Sequence, residues 1–457
     1  MKTYKFKGVL TKNGWLESTF IQVDDQGIIQ SIGQEQSEEF ESVHAYALPA
    51  FQNAHSHAFQ YAMAGLAERH EVSEVADNFW SWREAMYELA LSMNPDQMEA
   101  VASMLFAEML RQGYTEVAEF HYIHHDKNGQ PYENLVEMGE RLLAAAQKTG
   151  IKITLIPVFY RYGGFGKVAN ERQRRFLSQD LEAYLKLFDE SRSAAKSYKD
   201  ASVGYAAHSM RAVSPSDLKM LCQVRQPEFP LHMHIAEQKQ EIKECIQFLQ
   251  ARPVDWILDN LNLGSNFHLV HSTHMSRDES SSLGASGAYV VLCPSTEGNL
   301  GDGLFSLNSF QEHGGKWSIG TDSHIGLNPF EELRILDYSQ RIHTHNRNSF
   351  IGKQTGDNGA KALEMAFFSG KKAMGKEVDD FFEVGESLDA LLIDPDSPLI
   401  SSSSLENLTS TIVYTADASM HKGTLVNGRW KIKEGRHIDH SQIFSKFRDT
   451  IKSLSNR

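Results

Sequence analysis

Two histidines separated by one residue, His55 and His57, follow the apolar segment 45–51. In an extended strand, side chains two positions apart point to the same face, so both imidazoles can bind one metal ion. The pair alone is weak evidence, because a chain with 20 histidines also contains such pairs by chance. Its meaning depends on whether other metal-binding residue types end neighbouring strands.

Two later apolar runs do end in such residues. In the segment 231–237 the alternation turns His232 and His234 inward, and His234 is the better third ligand because it lies nearer the end of the run. His232 is better explained as a hydrogen-bonded histidine one layer deeper. Asp322 ends another apolar run and completes the set. The alternative, a cap for the next turn, leaves the apolar run and the other histidines unexplained.

Two further residues are candidates for moving protons beside these ligands. Glu237 lies three residues beyond the third ligand and can act as general acid or base. His271 ends the run 267–273 and is assigned to hydrogen bonding and proton transfer rather than to primary ligation, with His274 as the alternative. His124 and His125 adjoin an Asp-Lys-Asn-Gly turn and are expected on the surface.

The predicted ligand set of three histidines and one aspartate suits one divalent cation. Zn²⁺ is the first choice and Fe²⁺ the second. Such a cation leaves a coordination position for water and can lower the pKa of that water to about 7. The chemistry indicated is therefore hydrolysis, with Asp322 as a ligand and either Asp322 or His271 as the acceptor of the water proton.

Eight apolar runs alternate with amphipathic stretches between the two ends of the chain. This pattern is typical of a (β/α)8 TIM-like barrel, in which active-site residues lie at the C-terminal ends of the strands. A helix is expected to begin after Asn94 and to end at Gly113. The eight runs end near His55, Phe120, Tyr160, His208, Ala236, Thr273, Pro294 and Asp322.

The two ends of the chain have strand-like patterns instead. We expect them to pair into a small discontinuous β-sandwich domain outside the α/β barrel. The predicted strands are 4–10, 18–23, 28–32, 390–393 and 411–414, with a hairpin at 423–430. The predicted domains are 1–48 with 376–435 for the small β domain, 49–375 for the barrel and 436–457 for a C-terminal helical tail.

Composition limits the partners. With 45 Lys and Arg against 59 Asp and Glu, the formal net charge is −14, which argues against a nucleic-acid or anionic membrane surface. The three cysteines form no Cys-x-x-Cys pair, and no apolar segment approaches the roughly 18 residues of a membrane span. We expect a cytoplasmic homodimer that acts on a small molecule, with neither nucleic acid nor membrane as partner.

An acidic protein needs locally placed cations to bind an anionic substrate. Arg211 follows the fourth run, and Arg83 lies in the long insertion 56–112 that is expected over the barrel mouth. A single arginine is most simply a surface ion pair, but two at one mouth suggest a carboxylate clamp. Gln60 and Tyr122 can add neutral hydrogen bonds, and His208 ends the fourth run.

The sequence resembles the amidohydrolase superfamily, and within it the formimidoylglutamate deiminase family. The matching segments are Asn53–Gln60, Ala62–Glu68, Glu119–Asp126, His208–Val213, His234–Gln238, Cys293–Gly303 and Asp322–Ile325. The resemblance implies hydrolysis of N-formimino-L-glutamate, a dicarboxylate, to N-formyl-L-glutamate and ammonia in histidine degradation. It implies one metal, because no lysine ends the fourth run.

By the same resemblance, five residues fall where that family holds its substrate. They are Gln60, Arg83, Tyr122, His208 and Arg211. Two alternatives remain open. The same metal site could serve a deaminase of an aminated heterocycle, such as guanine or adenosine. The two arginines would then have no substrate carboxylate to bind. The barrel could also be a scaffold without catalysis, because a fold alone does not fix function.

Overall fold

The computed structural model describes residues 1–34, 39–66, 68 and 79–454. Ala67 of the matching segments, the part 69–78 of the insertion expected over the barrel mouth, residues 35–38 of the small β domain and residues 455–457 of the C-terminal tail lie outside the described residues.

The described strands fall into a central group and two terminal groups. They are Lys2–Thr11 (β1), Gly14–Val23 (β2), Ile29–Gly33 (β3), Glu41–Pro49 (β4), Phe51–Ser56 (β5), Tyr114–His121 (β6), Lys152–Phe159 (β7), Tyr162–Gly164 (β8), Lys167–Val168 (β9), Ala201–Val203 (β10), Tyr205–Ser209 (β11), Leu231–Ile235 (β12), Phe267–His271 (β13), Tyr289–Leu292 (β14), Lys316–Ile319 (β15), Ala390–Ile393 (β16), His421–Val426 (β17), Arg429–Lys433 (β18) and Arg436–His437 (β19).

The described α-helices mostly connect the central strands. They are Phe79–Ser92 (α1), Pro95–Gln112 (α2), Glu137–Thr149 (α3), Leu181–Ala195 (α4), Pro215–Val224 (α5), Lys239–Leu249 (α6), Pro253–Asn260 (α7), Arg277–Ala285 (α8), Pro294–Asn299 (α9), Leu307–Glu312 (α10), Pro329–Thr344 (α11), Asn358–Ala373 (α12), Pro398–Ser401 (α13), Leu405–Thr415 (α14) and His440–Leu454 (α15). Among them, none combines the length and the apolar composition that a bilayer crossing requires.

Eight parallel strands form the barrel that the sequence predicts. Their order is β5, β6, β7, β11, β12, β13, β14 and β15, and every one of the eight apolar runs contains one of them. The barrel closes between β15 and β5, where the backbone N–H groups of Thr321 and Asp322 donate to the carbonyl of His55 at 3.1 and 3.0 Å. The closure therefore joins the first predicted metal ligand to the last.

Helix α2 shows why its limits could be predicted. The side chain of Asn94 accepts from the N–H of Gln97, whose side chain accepts from the N–H of Asn94 in return, and Pro95 occupies the first helical position. Gly113 ends the helix in a left-handed conformation with φ 99°. The expected beginning and end are both confirmed.

The terminal strands pair with each other in one mixed sheet of eight strands. Its order is β19, β18, β17, β16, β4, β1, β2 and β3. The predicted hairpin is confirmed, because β17 and β18 are joined by Asn427 and Gly428, with φ values of 49° and 61° that suit a two-residue turn. The two ends of the chain thus form one structural layer beside the barrel.

One strand prediction was wrong. The β-branched run 411–414 indicates a strand, but it lies within α14. The buried residues of this helix are Leu408, Thr409, Ile412 and Val413, which recur with helical spacing and face one side. Burial of that side against α11 and α12 outweighs the weak strand preference of the run.

We expect replacement of Gly320 by alanine to weaken barrel closure. A Cβ atom there would lie 2.8 Å from both the backbone nitrogen and the Cβ of His55, and backbone atoms cannot move away as the end of a flexible side chain can. Overpacking of this kind costs roughly 1–3 kcal/mol. Thermal or urea unfolding checks the loss, and Gly264→Ala, with no atom within 4 Å of the added Cβ, is the matched control. Equal stability of the two variants would contradict this expectation.

Candidate metal centre and substrate cavity

Four buried side chains from the first, fifth and eighth barrel strands converge at the C-terminal end of the barrel. His55, His57, His234 and Asp322 each bring one ligand atom within 4.8 Å of the others. The Nε2 atom of His55 lies 3.1 Å from Nε2 of His57 and 3.0 Å from Nε2 of His234. The Oδ1 atom of Asp322 lies 3.2 Å from Nε2 of His57 and 3.5 Å from that of His55. These separations suit four ligand atoms around one small cation.

The hydrogen bonds made by the Nδ1 atoms of two of these histidines favour cation binding by the set. Nδ1 of His57 donates to the carbonyl of Phe120, and Nδ1 of His234 donates to that of His208, both at 2.9 Å. A neutral imidazole with its proton on Nδ1 presents an unprotonated lone pair at Nε2. Converging lone pairs about 3 Å apart repel one another unless a positive charge lies between them. The donor set therefore suits a divalent metal ion.

The pKa shifts favour the same protonation state. Burial, assisted by the neighbouring His57, lowers the pKa of His55 to about 3. Burial also holds the pKa of His234 well below its usual value, with His55 contributing. Burial would raise the pKa of Asp322, but its bonds to His55 and His57 keep it well below the ordinary range. Near neutral pH, His55 and His234 are then neutral imidazoles and Asp322 is a carboxylate, which are the forms that bind metal.

His271 lies beside the metal-ligand set and contacts two carboxylates. Its Nε2 is 3.8 Å from Oδ2 of Asp322, and its Nδ1 is 3.2 Å from Oε1 of Glu297. Burial would lower the pKa of His271, but the bond to Glu297 and the charge of Glu237 raise it to about 10. Glu297 also accepts from the N–H of Cys293 at 3.0 Å. The sequence placed Glu297 in a matching segment without revealing this contact.

The backbone is strained where the barrel strands deliver these residues. Ala236 after β12, His271 at the end of β13 and Asp322 after β15 have φ values of 52°, 69° and 45°. Residues other than glycine rarely adopt this left-handed region, which costs energy that the surrounding packing must supply. Such strain clusters at functional sites, and here three strand ends of one rim carry it.

A cavity of about 310 Å³ opens onto the ligand set. Its size suits a small organic molecule. The sequence-predicted residues that line it are His57, Gln60, Arg83, Tyr122, His208, Arg211, His234, Glu237, His271 and Asp322. His55 lies beneath them, fully buried. The structure thus brings every predicted site residue to one place, and their individual roles stay predictions.

The two arginines that line this cavity have different partners. Arg211 is paired with Glu237 at 2.6 Å, with both side chains largely buried. Arg83, on α1, stacks its guanidinium 4.4 Å from the ring centre of Trp80 and 5.5 Å from that of Tyr87. Its buried Nε has no hydrogen-bond partner within the described parts of the chain. Arg83 therefore keeps donor capacity that an anionic ligand can use.

The remaining histidines do not join the ligand set. His232 lies deeper, as predicted, with Nε2 3.0 Å from the carbonyl of Ala373. The expectation of a surface turn at His124 and His125 was wrong. His124 is buried with Nε2 3.1 Å from the carbonyl of Val158, and His125 bonds to that of Leu177 at 2.7 Å. The partner of His124 lies on β7 and that of His125 in the segment after β9, and contacts so distant in sequence cannot be inferred from the local pattern.

The chain matches the amidohydrolase family over residues 46–431. It is 37% identical over 447 residues to the formimidoylglutamate deiminase of Pseudomonas aeruginosa, which covers 97% of this chain and 98% of that protein. It is 24% identical to a 5-methylthioadenosine/S-adenosylhomocysteine deaminase of Haloquadratum walsbyi, over 90% of this chain and 85% of that protein.

Two solved structures resemble the whole chain. The amidohydrolase from Brucella melitensis superimposes with a TM-score of 0.92 at 38% identity, covering 99% of this chain and all (100%) of that one. An adenosine deaminase from Xanthomonas campestris, crystallised with bound zinc, superimposes with a TM-score of 0.79 at 18% identity and covers 100% of this chain and 98% of that one. The second similarity concerns the fold alone.

Proposed function

The chain belongs to the amidohydrolase family, and we propose that it hydrolyses N-formimino-L-glutamate to N-formyl-L-glutamate and ammonia. The observation that carries this function is the joining of a four-residue ligand set to a cavity that also contains two arginines. The relative of 37% identity spans nearly the whole chain and supports the same activity. Hydrolysis of the amidine carbon needs the ligand set, and recognition of the glutamate carboxylates needs the arginines.

His55, His57, His234 and Asp322 would hold one divalent cation, which we propose is Zn²⁺, with Fe²⁺ as the alternative. When bound there, the cation supplies Lewis acidity and a water of lowered pKa. Neutral imidazoles and a buried carboxylate suit this task because they need not lose protons when the metal binds.

The proton transfers fall to three residues at the rim. Asp322 or His271 accepts the proton of the attacking water. A pKa of about 10 keeps His271 protonated near neutral pH, which favours Asp322 as the acceptor, with His271 3.8 Å from its Oδ2 atom. Both protons of the water end on the leaving nitrogen, the last one delivered by Glu237 or Asp322, as the C–N bond breaks, ammonia departs and the water oxygen becomes the formyl oxygen of the product. Glu237 lines the cavity, and its ion pair with Arg211 holds its side chain there in position to deliver that proton.

The substrate carboxylates would be bound by Arg83 and Arg211, with neutral bonds from Gln60, Tyr122 and His208. Gln60 already donates to the hydroxyl of Tyr122 at 2.9 Å, while its carbonyl oxygen has no partner among the described residues. Buried polar atoms of this kind are costly unless a ligand or water completes them. Together, the five substrate-binding residues would hold the formimino carbon over the attacking water.

An ammonia-release assay tests the proposed function. N-formimino-L-glutamate, N-guanidino-L-glutamate and guanine are offered separately to the metal-loaded protein. We expect release from N-formimino-L-glutamate at a kcat/KM at least about 10²-fold above that for guanine, because guanine has no carboxylates and leaves the arginines without a substrate anion. N-guanidino-L-glutamate keeps both carboxylates and tests the preference at the reacting carbon. Preferred turnover of guanine would contradict the assignment and favour a heterocycle deaminase.

We expect Arg83→Met to raise the KM for N-formimino-L-glutamate. Loss of a charged hydrogen bond costs about 1.5–3 kcal/mol, which corresponds to roughly 10- to 100-fold in KM. The kcat should change by less than about threefold, because Arg83 is not in the ligand set. Steady-state kinetics measure both constants. Arg161→Met, which removes an arginine paired with Asp217 outside the cavity lining, is the control. An unchanged KM in Arg83→Met would remove Arg83 from substrate binding.

The same proposal includes a place in histidine degradation, a cytoplasmic location and a homodimer. The three cysteines, Cys222, Cys245 and Cys293, are all free, which suits a reducing compartment. The dimer stays a prediction, and light scattering of the purified chain measures it. Cell fractionation tests the location.

A further inference from the structure

Helix α1, which carries Arg83, is held at its C-terminal end by a buried arginine distant in sequence. The last carbonyls of a helix have no partner inside it. Arg175 donates from Nη1 to the carbonyl of Ala90 and, at 2.7 Å, to that of Met93. Its Nε donates to the carbonyl of His125 at 2.8 Å. One guanidinium thus ties the end of α1 to the turn that follows β6.

Arg175 is buried without a paired carboxylate in the described parts of the chain, which is unusual for an arginine. The residue is fully buried, and within the described residues it forms no ion pair with a carboxylate. Buried arginines are rare without a paired acid, because removing a guanidinium from water is costly. Here the negative end of the α1 dipole and three carbonyl oxygens take the place of the acid.

Two sequence neighbours of Arg175 contact the same helix nearer its N-terminal end. Gln173 donates to the hydroxyl of Tyr87 at 3.2 Å and to that of Tyr160 at 2.6 Å. Arg172 forms an ion pair with Glu84. Positions 84, 87 and 90 are three residues apart and lie on one side of a helix. Residues 172–175, here called the 172–175 segment, therefore contact α1 at three successive levels.

Tyr87 connects the 172–175 segment to the substrate cavity. Tyr87 lines the cavity, and Arg83 stacks on its ring at 5.5 Å. The hydroxyl of the same Tyr87 is held by Gln173. The position of the Arg83 guanidinium thus depends on where the segment holds α1, and a shift of about 1 Å in such a group can cost 10²-fold in activity.

We propose that the 172–175 segment positions Arg83 for a substrate carboxylate, with Arg175 as the main positioning residue. The inference rests on the proposed function and adds to it a source of selectivity outside the cavity lining. Arg175 would act only through α1, since it is not among the residues that line the cavity. The consequence is that its effect on substrate binding should vanish when Arg83 is absent.

A double-mutant cycle tests this dependence. Arg175→Lys keeps the charge but cannot donate in the planar, forked geometry that spans two carbonyls. In the wild-type background we expect it to raise the KM for N-formimino-L-glutamate roughly 10-fold with kcat within about threefold. In the Arg83→Met background the same change should raise KM by less than about twofold, because the group that it positions is gone.

Arg174→Lys is the matched control. Its guanidinium donates to the carbonyls of Lys127 and Glu171, both at 2.7 Å, and the hydrogen bonds and ion pairs that it forms within the described chain include none to α1. We expect its KM to equal that of the wild type. If Arg175→Lys fails to fold, Gln173→Met replaces it in the cycle, since Gln173 holds Tyr87 directly.

The outcomes separate the inference from the function on which it rests. Equal increases of KM in the two backgrounds would mean that Arg175 supports the fold in general, and would overturn the inference while leaving the function intact. No ammonia from N-formimino-L-glutamate with the wild type would overturn the function and the inference together.

Discussion

Asp322→Asn should lower kcat by roughly 10²- to 10⁴-fold, the range typical for loss of a positioned acid or base. The two oxygens of Asp322 face different neighbours. Oδ1 lies 3.2 Å from Nε2 of His57, and Oδ2 lies 3.8 Å from Nε2 of His271. An asparagine can still present a carbonyl oxygen to a metal, but its amide group cannot accept a proton. The variant therefore removes the proton acceptor with the least disturbance of the ligand set.

The measurement is kcat at saturating substrate on a sample whose metal content is determined by elemental analysis. Ser323→Ala is the control for local disturbance, because Ser323 directly follows Asp322 and its hydroxyl lies 3.0 Å from that of Thr296 on α9, outside the ligand set. We expect the control to keep kcat within about threefold of the wild type, because Ser323 is in neither the ligand set nor the cavity lining. Full activity in Asp322→Asn would remove Asp322 from the proton transfers.

The metal ligands could be predicted from the sequence because barrel topology brings strand ends to one rim. His55, His234 and Asp322 are far apart in the chain, but each ends an apolar run, and the C-terminal ends of parallel strands meet. The depth of His232 also followed, since alternation places it one layer lower. Periodicity and position alone therefore predicted the centre of the site.

What could not be predicted depends on how loops pack. Arg175, Gln173 and Glu297 carry no periodic signal, and their partners lie on elements distant in sequence. His124 was expected on the surface for the same reason, because its covering segment is distant in sequence. Even where both residues were selected, as with Arg211 and Glu237, the ion pair between them became visible only in the structure.

His234→Asn and His232→Asn should separate a ligand from a structural histidine on the same strand. The two side chains are two residues apart and share a face of β12. His234 lines the cavity with Nε2 3.0 Å from that of His55. His232 lies below, bonded to the carbonyl of Ala373 and stacked on His268 with ring centres 4.8 Å apart. Depth along the strand is the main difference between them.

For His234→Asn we expect less than about 0.1 metal ion per chain and a fall in activity of at least about 10³-fold, because loss of one of four ligands leaves an incomplete site. For His232→Asn we expect full metal content and near-normal kcat, with a Tm lower by roughly 2–4 °C per kcal/mol lost. Chelation followed by added zinc should restore the wild type and His232→Asn but not His234→Asn. Retained metal in His234→Asn together with lost metal in His232→Asn would show that the deeper histidine is the ligand.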